Sequence, residues 1–330
     1  MAAARWVDFA GQAIFHTLVA ALVIEALVRL WGVRAPSQRM GFRLLALAWP
    51  LLVVPTLFLL FPQREGEAFR EGQALFSARR WDDVTFLGAG LYAWWITGMA
   101  LAGLALLLLD LVPLLRSRAA APPPLPPATP EGERVRGALG EAARALGMRV
   151  PPLAYFPAGP AVLYCTGARR PVVVVSRAAV DLLDDAELRG ALAHELAHLE
   201  HRDPALSWAL MGARGLMWFN PGAQVLVRAL ARDAERLADE RGAAATGDRL
   251  ALASALLKLY RATGGSYEAP ADRARPLFSS LAEPIARARA HDIELRCRAL
   301  LGPRPEPLRV SLLRLAAVGA GLFLLLFHVV

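Results

Sequence analysis

Cysteine is nearly absent from this sequence: Cys165 and Cys297 are the only two in 330 residues. That excludes a disulfide-built scaffold and a cysteine-ligated zinc knuckle, and leaves both as small apolar side chains in a reducing compartment. Charge is scarce too. Asp, Glu, Lys and Arg make up 20% of the chain against 56% hydrophobic residues, and the mean hydropathy is +0.38. An ordinary soluble protein of this length does not carry so apolar a balance. The sequence has no internal repeat. Its net charge of +8 comes without a basic stripe interleaved with aromatics, so no nucleic-acid partner is expected.

What the sequence has instead is long apolar runs. Four of them, at about 9–31, 42–61, 86–115 and 308–330, can each cross a hydrocarbon core of about 30 Å. The first contains His16 and Glu25 and lacks a small-residue cleavage site, so it reads as a span and not as a cleaved signal peptide. The third is long enough that it must tilt or extend out of the lipid. Arginines set the orientation. Arg29, Arg34, Arg39 and Arg43 crowd the first connection with no acid between them, which predicts a cytoplasmic face. Residues 62–85 hold four Arg against five Asp and Glu, which suits the outside. Arg116 and Arg118 follow the third span, and Arg304, Arg309 and Arg314 flank the fourth. The expected layout is a multi-pass protein of the inner (cell) membrane, with residues 132–302 cytoplasmic and both termini outside. Within the spans, Glu25 and Arg29 are spaced to pair on one helix face, and Asp110 is placed to snorkel.

Residues 1–118 thus hold three spans, and 303–330 the fourth. Between the third span and the polar region runs a proline-rich spacer at 119–131, semi-rigid and not a folded element. Residues 132–302 read as a domain of their own. A helix is expected at 133–147, then short extended runs near 152–156, 161–165 and 171–176, then helices to about 301. The fold class is therefore an α+β domain embedded in a four-span α-helical membrane protein.

The chemistry lies in His194-Glu195-Leu196-Ala197-His198. Residues four apart share a helix face, so the two imidazoles can grip one Zn²⁺ while Glu195 faces the metal's open position. Asp184 with Glu187 predicts a capping box that starts this helix, and Pro204 predicts its end. Leu188, Leu192, Leu196 and Leu199 form an apolar stripe, and the histidines lie off it.

A catalytic zinc commonly takes a third protein ligand. Glu235 is the first candidate. A helix from about 205 to 219 leads away, Asn220 and Pro221 start another, and about fourteen residues each way, about 21 Å, return Glu235 to the histidines. His201, Asp233 and Asp239 are the alternatives. Asp203 and Asp239 are candidates to receive the second N–H of the ligating histidines, or are plain surface charges.

These residues resemble a known group. His194-Glu195-x-x-His198 followed by Asp203, then Phe219-Asn220-Pro221, then Glu235-x-x-x-Asp239, is similar to the BlaR/MecR-type integral membrane zinc metallopeptidases, and to the broader HtpX and CAAX-prenyl-protease-like peptidases. The resemblance implies a zincin-like domain with one Zn²⁺ held by His194, His198 and Glu235, and Glu195 as the group that activates water. It implies a zinc-dependent endopeptidase acting on a cytoplasmic or membrane-associated protein in regulatory proteolysis. A membrane-protein quality-control peptidase, or a non-catalytic receptor or scaffold, is the alternative. The β-lactam receptors of that family continue into an extracellular sensor domain, whereas this sequence stops at Val330, so β-lactam sensing is not expected of it.

The resembling peptidases also lay substrate along an edge strand ahead of the zinc helix, a place taken here by Val172, Val173, Val174 and Val175. Arg169, Arg170 and Pro171 at one end suit an edge. Four valines in a row also suit an inner strand buried on both faces, but the charge and proline at one end favour the edge.

Overall fold

The computed structural model of the protein describes residues 2–75, 77–116, 129–166, 171–200, 203–263, 279–302 and 312–330. The proline-rich spacer up to residue 128, and His201, lie outside them. In chain order the helices are α1 (Ala2–Leu30), α2 (Pro36–Ala48), α3 (Val54–Leu60), α4 (Glu67–Gly72), α5 (Leu91–Arg116), α6 (Pro130–Ala145), α7 (Arg177–Leu182), α8 (Asp185–Glu200), α9 (Asp203–Leu216), α10 (Pro221–Thr246), α11 (Arg249–Ala262), α12 (Ser279–Leu301) and α13 (Leu312–Phe327). The strands are β1 (Thr85–Phe86), β2 (Ala89–Gly90), β3 (Leu153–Phe156), β4 (Leu163–Thr166) and β5 (Val172–Ser176). Two compact units result. Met1–Leu111, Ala209–Asp233 and Pro305–Val330 form one, and Val112–Trp208 with Ala234–Arg304 the other.

Three stretches of the first unit are long and apolar enough to cross a membrane: Trp6–Leu30, Pro36–Leu60 and Leu91–Leu111. The second joins α2 to α3 through a π-helical turn, Trp49–Val53. Pro50 explains it: with no N–H and a ring that crowds the carbonyl four residues back, it widens the ladder locally. The third begins later than expected because β1 and β2 form a tight hairpin ahead of it, turning through Leu87 at φ 52° and Gly88 at φ 79°. The segment expected as a fourth span appears as α13, an apolar helix of 16 residues, with 303–311 outside the described residues.

The charges of this unit pair differently from the expectation. Glu25 accepts a 2.7 Å hydrogen bond from Arg43, not from Arg29, and Arg43 also binds Asp233. Asp110 does not snorkel: Arg214 and Arg228 hold it at 2.6 and 2.8 Å. Local helix spacing favours the near partner, but a partner on another helix satisfies a buried charge without leaving the apolar interior. Asn220 caps α10 through Ala223 N at 3.1 Å, and its amide nitrogen donates to Thr17 Oγ1 at 2.8 Å.

In the second unit, Thr129 caps α6 by accepting from Gly132 N, so the helix starts at Pro130, inside the stretch read as spacer. The sheet has the order β3-β5-β4, β3 parallel and β4 antiparallel to β5. Val172, Val173, Val174 and Val175 therefore form the central strand, which corrects the edge expectation. Val173, Val174 and Val175 are fully buried, and a valine run buried on both faces belongs between two partners. β3 and β4 are the edges among the described residues.

α8 is also more enclosed than an amphipathic helix. Leu188, Leu192 and Leu196 are buried, and so are Glu187, Ala193, His194, Glu195 and Ala197, because α6, α11 and β4 all pack on it. Asp184 Oδ1 accepts from Glu187 N at 2.8 Å and Glu187 Oε2 accepts from Asp184 N at 2.9 Å, a complete capping box. Pro204 does not simply end this helix; it occupies the first turn of α9, where its missing N–H has no intrahelical role.

Candidate metal centre

His194 and His198 lie one turn apart on α8, with their Nε2 atoms 3.3 Å from each other. Glu235 on α10 faces both: Oε2 is 3.6 Å from His194 Nε2, and Oε1 is 3.6 Å from His198 Nε2. Ligands at about 2.0–2.1 Å from a tetrahedral metal stand about 3.3 Å apart, so these three donors fit one ion. Among the described residues they form a cluster whose ligand atoms all lie within 4.8 Å of one another.

The close approach that brings Glu235 here depends on Gly242, two turns further along α10. A Cβ there would stand 2.8 Å from the backbone nitrogen of His194 and 3.0 Å from its Cα. No side chain fits that gap without displacing backbone.

Asp239, one turn after Glu235, places Oδ1 3.0 Å from His194 Nδ1. Asp239 is also gripped by Arg296 of α12, from Nε and Nη2 at 2.7 Å each, while Nη1 of the same guanidinium stands 3.1 Å from Glu235 Oε2. The electrostatics follow. Burial disfavours a charged ring at His194, but the Asp239 and Glu235 carboxylates outweigh it and push the group up to about 10. Burial likewise opposes charge on Asp239, yet Arg296 and His194 hold it, and the half-exposed Glu235, below the usual carboxylate range. A pocket that binds a proton this firmly also favours any other cation that can replace it.

Glu195 is 8% exposed, and its Oε2 accepts from the main-chain N–H of Cys165 on β4 at 2.9 Å. Burial raises its pKa, and the neighbouring histidines offset part of that rise. A carboxylate in this state is nearer neutrality, where a general base works best.

The structure thus brings together His194, Glu195, His198, Glu235 and Asp239. It gives Asp233 to Arg43 in the first unit. Asp203 begins α9, and its side chain lies outside what is described. Arg296, Gly242 and the Cys165 N–H escape sequence reasoning. The available signal for Arg296 is chemical: two carboxylates one turn apart on α10 need a counter-charge when buried.

The BlaR1 peptidase M56 family model matches residues 136–278, which hold His194, Glu195, His198 and Glu235. Residues 136–278 thus resemble a BlaR1-type peptidase domain, and the chain is similar to membrane metallopeptidases of the BlaR1/HtpX type. Its relatives agree. The protease HtpX homolog of Pyrococcus abyssi is 33% identical over 156 aligned positions, covering 36% of this chain and 54% of that protein. That of Methylibium petroleiphilum is 38% identical over 114, covering 26% and 40%, and that of Ralstonia nicotianae 33% over 123, covering 28% and 43%. The matches span about half or less of these relatives' length. No solved structure matches the chain. A metallopeptidase domain implies a metal, and the spacing of the three donors suits one.

Proposed function

We propose that this protein is an integral membrane, zinc-dependent endopeptidase that hydrolyses peptide bonds of a cytoplasmic or membrane-associated protein in regulatory proteolysis. The observation that carries the reading is the convergence of His194, His198 and Glu235 on one point, with Glu195 on the turn between the two histidines. Imidazole and carboxylate donors in a tetrahedral arrangement suit Zn²⁺. When bound, the ion supplies Lewis acidity, making water acidic near neutral pH and polarising the scissile carbonyl. Glu195 takes the proton of the attacking water and delivers it to the leaving amine. The Cys165 N–H keeps the Glu195 carboxylate aimed during both transfers. Asp239 holds the His194 ring with Nε2 towards the metal. An extended substrate meets the outer edge of β4, the strand that reaches Glu195, where main-chain hydrogen bonds hold it with little regard to side chains.

The domain works at the cytoplasmic face of a four-span protein with both termini outside. The arginines of the first connection and those after the third span support that orientation. The purified chain in lipid nanodiscs, stripped of metal, should cleave an unfolded protein only after zinc is restored. Cleavage that survives complete metal removal would refute the reading. Proteomics of a Glu195→Gln trap then separates a regulatory protease, which retains one client, from a quality-control peptidase, which retains many membrane proteins.

A further inference from the structure

We infer that Arg296 is a positioning residue of the metal centre, carried by a helix outside the family-matched region and fixing both a ligand and the group that orients another ligand. The inference rests on the metal reading above. The match to the peptidase family ends at residue 278, and Arg296 follows it by 18 residues.

The geometry is specific. The guanidinium is 8% exposed, and each of its nitrogens meets a carboxylate of α10. Two of them form a fork on Asp239, and the third reaches Glu235 Oε2. Such a planar fork matches a carboxylate in a way that the point charge of lysine does not. Asp239 Oδ1 lies between Arg296 Nη2 at 2.7 Å and His194 Nδ1 at 3.0 Å, so the guanidinium acts on His194 through Asp239. It acts on Glu235 directly, with Nη1 3.1 Å from Oε2. One side chain therefore sets the direction of two of the three donors.

Charge gives a second reason. Glu195 and Asp239 are buried carboxylates, and Glu235, with its side chain 40% exposed, stands beside them as a third. A divalent cation offsets two of them and Arg296 the third. Without the guanidinium a buried negative charge stays uncompensated, and Asp239 and Glu235 repel each other one turn apart.

Packing delivers Arg296 to this place. Cys297 and Leu300, its neighbours on α12, join Leu252, Ala253 and Leu256 of α11 and Ala243 of α10 in an apolar cluster. That cluster fixes the register of α12, and Arg296 takes the face turned to the carboxylates.

The test uses the full-length protein in nanodiscs, stripped of metal, with zinc affinity read by competition against a chromogenic chelator. Arg296→Gln should bind zinc about 10–100-fold more weakly than the wild type, the loss typical of removing an outer partner of a ligand. Arg296→Lys should fall between the two. Methylguanidinium added to Arg296→Ala should restore zinc affinity, and methylammonium should not, which a purely structural loss would not produce. Wild-type affinity in Arg296→Gln would overturn the inference. If that variant does not fold, Arg296→Lys decides alone: an intermediate affinity supports the role, and an unchanged one overturns it. A wild-type chain that takes up no zinc is a different failure, that of the metal reading itself.

Discussion

Asp239 Oδ1 stands 3.0 Å from Nδ1 of His194, while Nε2 of the same ring faces Glu235. In the proposed site this carboxylate selects which ring nitrogen carries the proton and which is free to bind. Asp239→Asn should therefore weaken zinc binding about 10–100-fold and leave the stoichiometry at one ion. Glu235→Ala removes a donor outright and should lower zinc content far more, whereas His201→Ala should leave it unchanged. Elemental analysis of the three purified variants checks the order. Equal metal loss in Glu235→Ala and His201→Ala would remove the case for Glu235.

Gly242 tests the close approach of the two helices in the same domain. A Cβ 2.8 Å from the backbone of His194 must push α10 off α8. Gly242→Ala should cost about 1–3 kcal/mol in stability, as overpacking does, and should weaken zinc binding because Glu235 moves with the helix. Thermal unfolding with and without zinc reads both effects. An unaltered melting profile and zinc affinity would show that the helices tolerate a side chain there.

Glu187 gives the domain a measurable pH dependence away from the metal. Burial opposes its charge, but Lys258 and Ser254 at 2.6 Å each, with the Asp184 N–H, hold its pKa below the ordinary 4.5. A depressed folded-state pKa contributes stability that is fully present above the unfolded value and is lost as pH falls through the folded one. Lowering the pH from 6 towards about 3 should therefore lower the melting temperature of the wild type. Glu187→Gln should be less stable at pH 6 and should show a shallower decline. Parallel curves for the two proteins would contradict the assignment.

In the first unit, Arg43 joins Glu25 at 2.7 Å and Asp233, which is fully buried. Arg43→Met leaves the buried Asp233 with only the more distant Arg39, at 3.7 Å, and takes from Glu25 its 2.7 Å partner. It should cost about 3–5 kcal/mol, the scale for removing one partner of a buried ion pair. Denaturation in detergent should show that loss, and Arg43→Met with Glu25→Gln and Asp233→Asn should recover part of it.

How much of this could be read in the sequence depends on the range of each interaction. The shared face of His194 and His198 and the capping box of Asp184 and Glu187 are written in spacings of four and three residues, so they are legible locally. The three long apolar stretches are legible for the same reason, since length and composition alone mark them. The return of Glu235 to the histidines could be approached by counting helical residues between Asn220 and the motif. Arg296 could not: α12 carries Arg287, Arg289, Arg296 and Arg298, and nothing local separates them. The place of the four valines was misread because Arg169, Arg170 and Pro171 spoke for an edge. Strand order depends on partners outside the valine run itself, and β3 and β4 enclose β5 on both sides. Glu25 and Asp110 were misread alike, since helix spacing names a near partner and burial selects a distant one.

The central claim is that Glu195 is the proton-transferring base beside a zinc held by other residues. The direct measurement is the turnover of purified Glu195→Gln at full zinc occupancy, with metal content and melting temperature taken on the same sample. The account predicts one zinc per chain, a wild-type-like melt and a fall in cleavage rate of at least about 10²–10⁴-fold. Turnover near that of the wild type in a fully zinc-loaded Glu195→Gln protein would contradict it.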